Sequence, residues 1–214
     1  MNTTKLHDYR KDYIPKPLQK IDLNINPFQQ FLTWFELAKN ANFIEPNAMN
    51  LSTVGSNGQP SSRIVLLKSF SENGFVFFTN YESKKGKQIE ENPFGAILFY
   101  WDLLDQEVRI EGRITKTSKE ESDEYFESRP FGNKIGALIS KQSSVLPDDH
   151  FLEEQKSLKI KEFENKKISR PDYWGGYILI PHLFEFWQGQ PDRLHDRFQY
   201  KLEKNKWLIE RLSA

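Results

Sequence analysis

Apolar and polar positions along the chain follow two periods. The first 25 residues are charged, carry prolines at 15 and 17, and read as an arm (1–25) preceding a core. Asn26-Pro27-Phe28-Gln29 then supplies a helix N-cap, a proline at the first helical position and a glutamine at N3. Phe28, Phe31, Leu32, Phe35 and Ala38 follow at helical spacing and predict one amphipathic helix to about Asn40. From residue 48 the period shortens. AMNLSTV, GSNGQP and SSRIVLLKSF read as strand, turn and strand, and Asn73-Gly74 turns the chain into GFVFFTN. A short helix, SKKGKQIEEN, precedes the strands GAILFYW and EVRIEGRITKTS. Helices are expected over 120–128, ending before Pro130 as proline requires, over 134–140, and from 148 to about 165. WGGYILI, LFEFWQG, DRFQYKLE and KWLIERL return to strands, with a turn at 203–205. Helices do not alternate regularly with these strands. The pattern therefore predicts an α+β fold, mainly antiparallel β, as a barrel with peripheral helices in one domain over 26–214.

Composition narrows the chemistry. Cysteine is absent from the 214 residues, which excludes disulfides, thiolate metal sites and a cysteine nucleophile. Thirty basic residues balance thirty acidic ones, so no global field draws the chain to nucleic acid or an anionic membrane. The longest apolar run, about 94–101, is too short to span a bilayer as a helix. The opening MNTTKLHDYRKDY has no apolar signal core, so a cytoplasmic protein is expected. Only 37% of residues are hydrophobic, yet 14% are aromatic. Few, large apolar groups mean a core built on rings, or rings reserved for an interface or a flat ligand.

The familiar nucleotide and hydrolase fingerprints, GxGxxG, GxxxxGK[ST] and GxSxG, do not occur, and the four histidines lack metal-ligand spacing, so no metal is expected. Cations clustered beside aromatics remain. In RLHDR, Arg193, His195 and Arg197 at i, i+2 and i+4 would share one face of a strand, flanked upstream by Trp187; a solvated strand face is the alternative. Arg63 and Lys68 bracket an apolar strand, but their odd separation points them to opposite faces unless a bulge intervenes. Ser83 caps a helix whose N-terminus and lysines 84 and 85 would suit a phosphate. Tyr125 and Arg129, at i and i+4 on a helix, would share a face and suit a second one. Together these describe two anion sites and a flat aromatic slot.

Taken in order, RKDY, QPSSRIVLLK, FFTNYESKKGKQIEENP, EVRIEG, YFESRP, IGALISKQSS, YWGGY and FEFWQG continuing into RLHDRF resemble the pyridoxamine (pyridoxine) 5′-phosphate oxidase family over nearly the whole chain. The resemblance implies an FMN-binding split barrel and a homodimer with FMN at the subunit interface. It implies oxidation of pyridoxamine or pyridoxine 5′-phosphate to pyridoxal 5′-phosphate, with O₂ reduced to H₂O₂. By matching position, FMN would be held by Arg63, Ile64, Val65, Leu66, Leu67, Lys68, Phe78, Thr79, Lys84, Lys85, Glu107, Gln142, Ser143, Trp187 and Arg197. Substrate would meet Lys68, Tyr125, Arg129, Asn133, Arg193, Leu194 and His195, with Arg193 and His195 at the reacting carbon and Arg10, Lys11, Asp12 and Tyr13 closing as a lid. Glu107 stands where the family usually has glutamine, Lys84 where it has arginine, and Asn133 where it often has serine. A non-enzymatic flavin- or B6-phosphate-binding protein on the same barrel is the alternative.

Overall fold

The computed structural model describes residues 6, 12–14 and 16–214. Arg10 and Lys11, expected in the lid, lie outside the described residues. Among the described residues are nine strands and five α-helices, the strands being β1 (Ala48–Val54), β2 (Pro60–Leu66), β3 (Ser69–Ser71), β4 (Gly74–Asn80), β5 (Phe94–Trp101), β6 (Gln106–Lys116), β7 (Trp174–Gln188), β8 (Asp196–Glu203) and β9 (Lys206–Leu212). The helices are α1 (Pro27–Asn40), α2 (Lys84–Glu91), α3 (Lys119–Ser128), α4 (Phe131–Ile139) and α5 (Phe151–Glu162). Strand order is β2-β1-β5-β6-β7-β4-β3, with β8 on β7 and β9 on β8, and the registered pairs of β1–β2, β1–β5, β3–β4, β4–β7, β7–β8 and β8–β9 are all antiparallel.

The chain divides into two compact units, one of residues 1–46, 99–109 and 183–214, the other of 47–98 and 110–182. The first unit has a core of rings. Asn26 caps α1 by accepting from the Phe28 N–H, and Phe28, Phe31, Trp34 and Ala38 form the buried stripe. Leu32, expected on that stripe, is 38% exposed, and Trp34 takes its place. Phe31 packs on Phe99 and Trp101, Phe28 on Phe184, and Trp34 on Phe186, the last two edge-to-face. At 203–205, Lys204 and Asn205 both adopt positive φ, the turn a right-twisted β8–β9 hairpin needs.

In the second unit Met49, Leu51, Phe75, Phe77, Ile97 and Leu179 are buried, and a satellite cluster joins Phe126, Ile135, Ala137, Ile168 and Trp174. α2 begins as expected, with the Ser83 hydroxyl accepting from the Gly86 N–H. Gly86 is required there, because a Cβ would overlap the Tyr81 backbone.

Three sequence expectations are corrected. The run SSRIVLLKSF is two strands: the Leu67 N–H donates to Asn47 O beside β1, whereas the Lys68 N–H donates to Val76 O on β4. The chain changes partner strand between 67 and 68, and this turn of the backbone resolves the parity of Arg63 and Lys68 within one chain. WGGYILI and LFEFWQG form one strand, β7, despite Pro181. That proline falls between Leu179, the last residue paired to β4, and Leu183, the first paired to β8, where a missing N–H costs no registered β4 or β8 pair. Finally, Arg193 is not on a strand. Pro191–Arg193 is a 3₁₀ turn with Asp192 and Arg193 both at positive φ, and β8 starts only at Asp196, so the shared strand face of Arg193, His195 and Arg197 does not exist. Among the described residues no helix is long and apolar enough to cross a membrane, and no group of His, Asp and Glu could hold a metal ion.

Candidate functional site

A cavity of about 730 Å³ opens in the second unit, within the ~300–1,000 Å³ typical of small-molecule sites. It gathers Arg63, Ile64, Val65, Leu66 and Lys68 from β2 and its end, Phe78 and Thr79 from β4, Lys85 from α2, and Gln142. From the other predicted set it gathers Tyr125, Arg129 and Asn133. β2 ends the strand order, so its backbone has a ladder partner on one side only, β1. Its outer edge offers N–H and C=O groups to a ligand.

Two of the cations in this cavity, Arg63 and Lys85, are held by neutral oxygens. Arg63 donates to Leu51 O at 3.0 Å and Thr53 Oγ1 at 2.6 Å, and Thr53 in turn donates to Gln88 Oε1 at 2.7 Å. Buried Lys85 donates to Gln142 Oε1 at 2.7 Å and Thr79 Oγ1 at 3.1 Å. Burial, reinforced by the Arg63 charge, pushes the Lys85 ammonium down to about 8. Burial likewise lowers the pKa of Arg63 and Arg129. Among the described residues no carboxylate pairs with Arg63, Lys68, Lys85 or Arg129, and the Arg129 Nη1 is buried without a hydrogen-bond partner. A buried donor left open beside three more uncompensated cations is a socket for an anion.

Arg129 is the C-cap of α3, one residue beyond the helix that carries Tyr125, so the i, i+4 expectation survives the helix end. Its guanidinium lies 4.5 Å from the Trp174 ring centroid. Phe78 stacks on Tyr125 with centroids 3.9 Å apart and on Trp174 at 5.7 Å, giving three near-parallel rings. Trp174, Asn80 and Ser140 line the cavity without having been singled out from the sequence. The two glycines following Trp174 are the available signal, since Gly175 admits the Tyr81 ring beside this wall.

Lys84 and Ser143 face a second cavity of about 680 Å³ that shares Gln142 with the first; the Lys84 N–H donates to Ser143 Oγ at 3.2 Å. Leu67 is buried, lines neither cavity, and binds Asn47 through its backbone N–H and carbonyl.

The remaining predicted residues gather in the first unit. Tyr13 meets Trp187 and His195 edge-on, at 5.9 and 5.3 Å between centroids, and Trp187 lies 4.6 Å from His195. Gly189 makes room for Tyr13, whose ring a Cβ would overlap. His195 Nδ1 accepts from the Gln190 N–H at 3.1 Å, which places the proton of the neutral ring on Nε2. Burial first, then Arg193 and Arg197, hold its pKa below the ordinary imidazole value. Asp12, Arg193 and Leu194 are exposed. Arg197 donates to Glu185 Oε1 at 2.8 Å, Arg109 reaches the same oxygen at 3.5 Å, and Arg109 also pairs with Glu107. The charge that distinguishes Glu107 from a glutamine is thus matched in place by Arg109.

With this geometry in hand, the comparisons are specific. A family model described as Pyridoxamine 5'-phosphate oxidase matches residues 37–156, and one described as Pyridoxine 5'-phosphate oxidase C-terminal dimerisation region matches 174–214. The chain is 51% identical over 205 residues to the pyridoxine/pyridoxamine 5'-phosphate oxidase of Rippkaea orientalis (strain PCC 8801 / RF-1), covering 95% of this chain and 97% of that protein. It is 49% identical over 207 residues to its counterpart in Gloeothece citriformis (strain PCC 7424), covering 96% and 97%. The crystal structure of PhzG from Burkholderia lata 383, in complex with tetrahydrophenazine-1-carboxylic acid, superposes with a TM-score of 0.86 at 29% identity, covering 91% of this chain and 95% of that one. A pyridoxamine 5'-phosphate oxidase-related FMN binding protein from Nostoc punctiforme PCC 73102 shares the fold, with a TM-score of 0.69 at 17% identity over 88% and 98% of the two chains. Matches along its whole length and a split-barrel α+β architecture place the chain in the pyridoxamine 5'-phosphate oxidase family.

Proposed function

We propose that the protein is an FMN-dependent oxidase that converts pyridoxamine or pyridoxine 5′-phosphate to pyridoxal 5′-phosphate as a homodimer. For the amine the balance is R–CH₂–NH₃⁺ + O₂ + H₂O → R–CHO + H₂O₂ + NH₄⁺. The observation that carries this reading is the cavity with four cations and no paired carboxylate, against a wall of three stacked rings. Such a site suits flat rings bearing phosphates. FMN fits the residues present: Arg63, Lys85, Thr79 and Gln142 would hold it with the β2 edge, Lys84 and Ser143 would extend its phosphate side, and Trp187, Arg197 and Glu107 would complete the pocket from the partner copy. When bound, FMN supplies the hydride acceptor and passes the electrons to O₂.

This chain's residues do the rest. Lys68, Tyr125, Arg129 and Asn133 would clamp the substrate phosphate and so fix the carbon that reacts, which replaces an encounter by a held pose. Arg193 would orient the amine or alcohol end. His195, neutral near pH 7 and protonated on Nε2, would exchange a proton at that atom. Tyr13 would exclude water above the imidazole.

Anaerobic mixing of FMN-loaded protein with pyridoxamine 5′-phosphate is the direct test. Bleaching of the flavin band, then peroxide on admitting air, is expected. A bound but unbleached flavin would mean a binding protein without turnover. Bleaching only by a reduced phenazine carboxylate would move the assignment toward the activity that the PhzG complex suggests.

Lys85 makes cofactor affinity depend on pH. Its pKa in the free protein is about 8, so the ammonium is charged below that value and is lost above it. FMN affinity is expected to be level from about pH 7 to 8 and to fall by up to about tenfold per unit above it. Flavin fluorescence titrations at several pH values check this, and Lys85→Met should weaken binding and flatten the profile.

A further inference from the structure

We propose that Asp196 and Gln190 are positioning residues: they form a latch that fixes the arm across the 190–195 turn and holds Tyr13 against His195. The Asp196 carboxylate is buried and takes donors from three separate segments. Its Oδ2 accepts from the Leu18 N–H at 3.0 Å and from Gln190 Nε2 at 2.9 Å, and its Oδ1 from Arg211 Nη2 at 2.6 Å. Gln190, also buried, gives its other amide hydrogen to Lys16 O at 2.7 Å, while its backbone N–H holds His195 Nδ1. Two side chains thus tie the arm at 16 and 18 to the turn that carries His195 and to β9.

The residue types fit the task. An ionised carboxylate only accepts, so three donors match it, whereas an asparagine would turn an N–H toward one of them. Glutamine supplies the two amide hydrogens that bridge a carboxylate and a carbonyl. Neither Asp196 nor Gln190 belongs to the predicted substrate or cofactor sets, so both act through His195 and the arm. The groups facing the imidazole are Tyr13 from the arm, Trp187 from β7, and the charges of Arg193 and Arg197. Freeing the arm removes the cover but leaves both arginines.

The inference rests on the oxidase reading for its kinetic arm alone. In FMN-loaded protein, Asp196→Ala and Gln190→Ala are each expected to raise KM for pyridoxamine 5′-phosphate by about tenfold, the worth of one lost charged hydrogen bond, with kcat changed less than about threefold. In both, the NMR titration midpoint of the His195 ring proton should move up as the ring regains solvent. Arg211→Gln, which keeps both contacts of Oδ2, should leave KM and midpoint in place. Should Asp196→Ala fail to fold, Gln190→Ala retains the Asp196–Arg211 pair and decides the matter. An unmoved His195 midpoint in the folded variants overturns the latch, as does an Arg211→Gln variant that reproduces the whole effect. Wild-type protein that binds FMN yet leaves pyridoxamine 5′-phosphate untouched overturns the oxidase reading, and the midpoint still decides the latch.

Discussion

Arg129→Leu is expected to lower kcat/KM for pyridoxamine 5′-phosphate by about 100-fold while leaving the melting temperature of the apoprotein unchanged or higher. Both halves follow from one atom. The Arg129 Nη1 is buried and has no hydrogen-bond partner. In the free protein the guanidinium therefore carries a desolvation cost, visible as its lowered pKa. A charged hydrogen bond to a phosphate is worth about 1.5–3 kcal/mol, the upper figure being close to a factor of 100. Leucine fills the stem's volume and needs no partner. Against that gain stands the loss of the cation–π contact to Trp174, about 0.5–1 kcal/mol at a partly exposed site. Steady-state kinetics beside calorimetry of the apoprotein provide the check. A variant that loses stability and activity together would show that Arg129 is a structural residue.

Arg193→Ala should reduce kcat/KM by about 100-fold with bound flavin unchanged, because orienting contacts at a reacting carbon are worth several kcal/mol and none of the cavity cations is touched. Arg193→Gly extends the test. Asp192 and Arg193 sit at φ of 56° and 61°, and a left-handed non-glycine residue costs about 1–3 kcal/mol. Glycine relieves part of that strain, so Arg193→Gly should be as inactive as the alanine variant and melt at a higher temperature. Thermal melts and the absorbance ratio of flavin to protein separate the two effects. If Arg193→Gly is no more stable than wild type, the turn is not strained; if either variant keeps full turnover, Arg193 does not orient substrate.

Strong local chemistry was legible in the sequence. The Asn26 and Ser83 caps, the Lys204-Asn205 turn and the Asn73-Gly74 turn into GFVFFTN each act over a few residues, and each element formed where its pattern placed it. Reading failed where the chain changes its partners. Arg63 and Lys68 reach one cavity because Leu67 and Lys68 bond to different strands, which no period along the chain encodes. RLHDR has the parity of a strand but the geometry of a turn, because Pro191 and two left-handed residues precede β8. Pro181 is tolerated inside β7 for the same reason of changing partners. Within the site, cations beside aromatics marked Tyr125 and Arg129, but Trp174 comes from a strand far along the chain, and the two glycines after it are the local signal of its place beside the ring stack.

Two of the cavity's cations, Arg63 and Lys85, are held by amide, hydroxyl and carbonyl oxygens, and this arrangement reaches beyond affinity. Carboxylate clasps would cancel the positive potential at rest and would have to be broken before any ligand entered. Here Lys85 and Arg63 stay in place with no carboxylate to offset them among the described residues, so the slot attracts small anions. Under the FMN proposal, loading the flavin would be an exchange, in which orthophosphate or sulfate in the medium competes with the incoming tail.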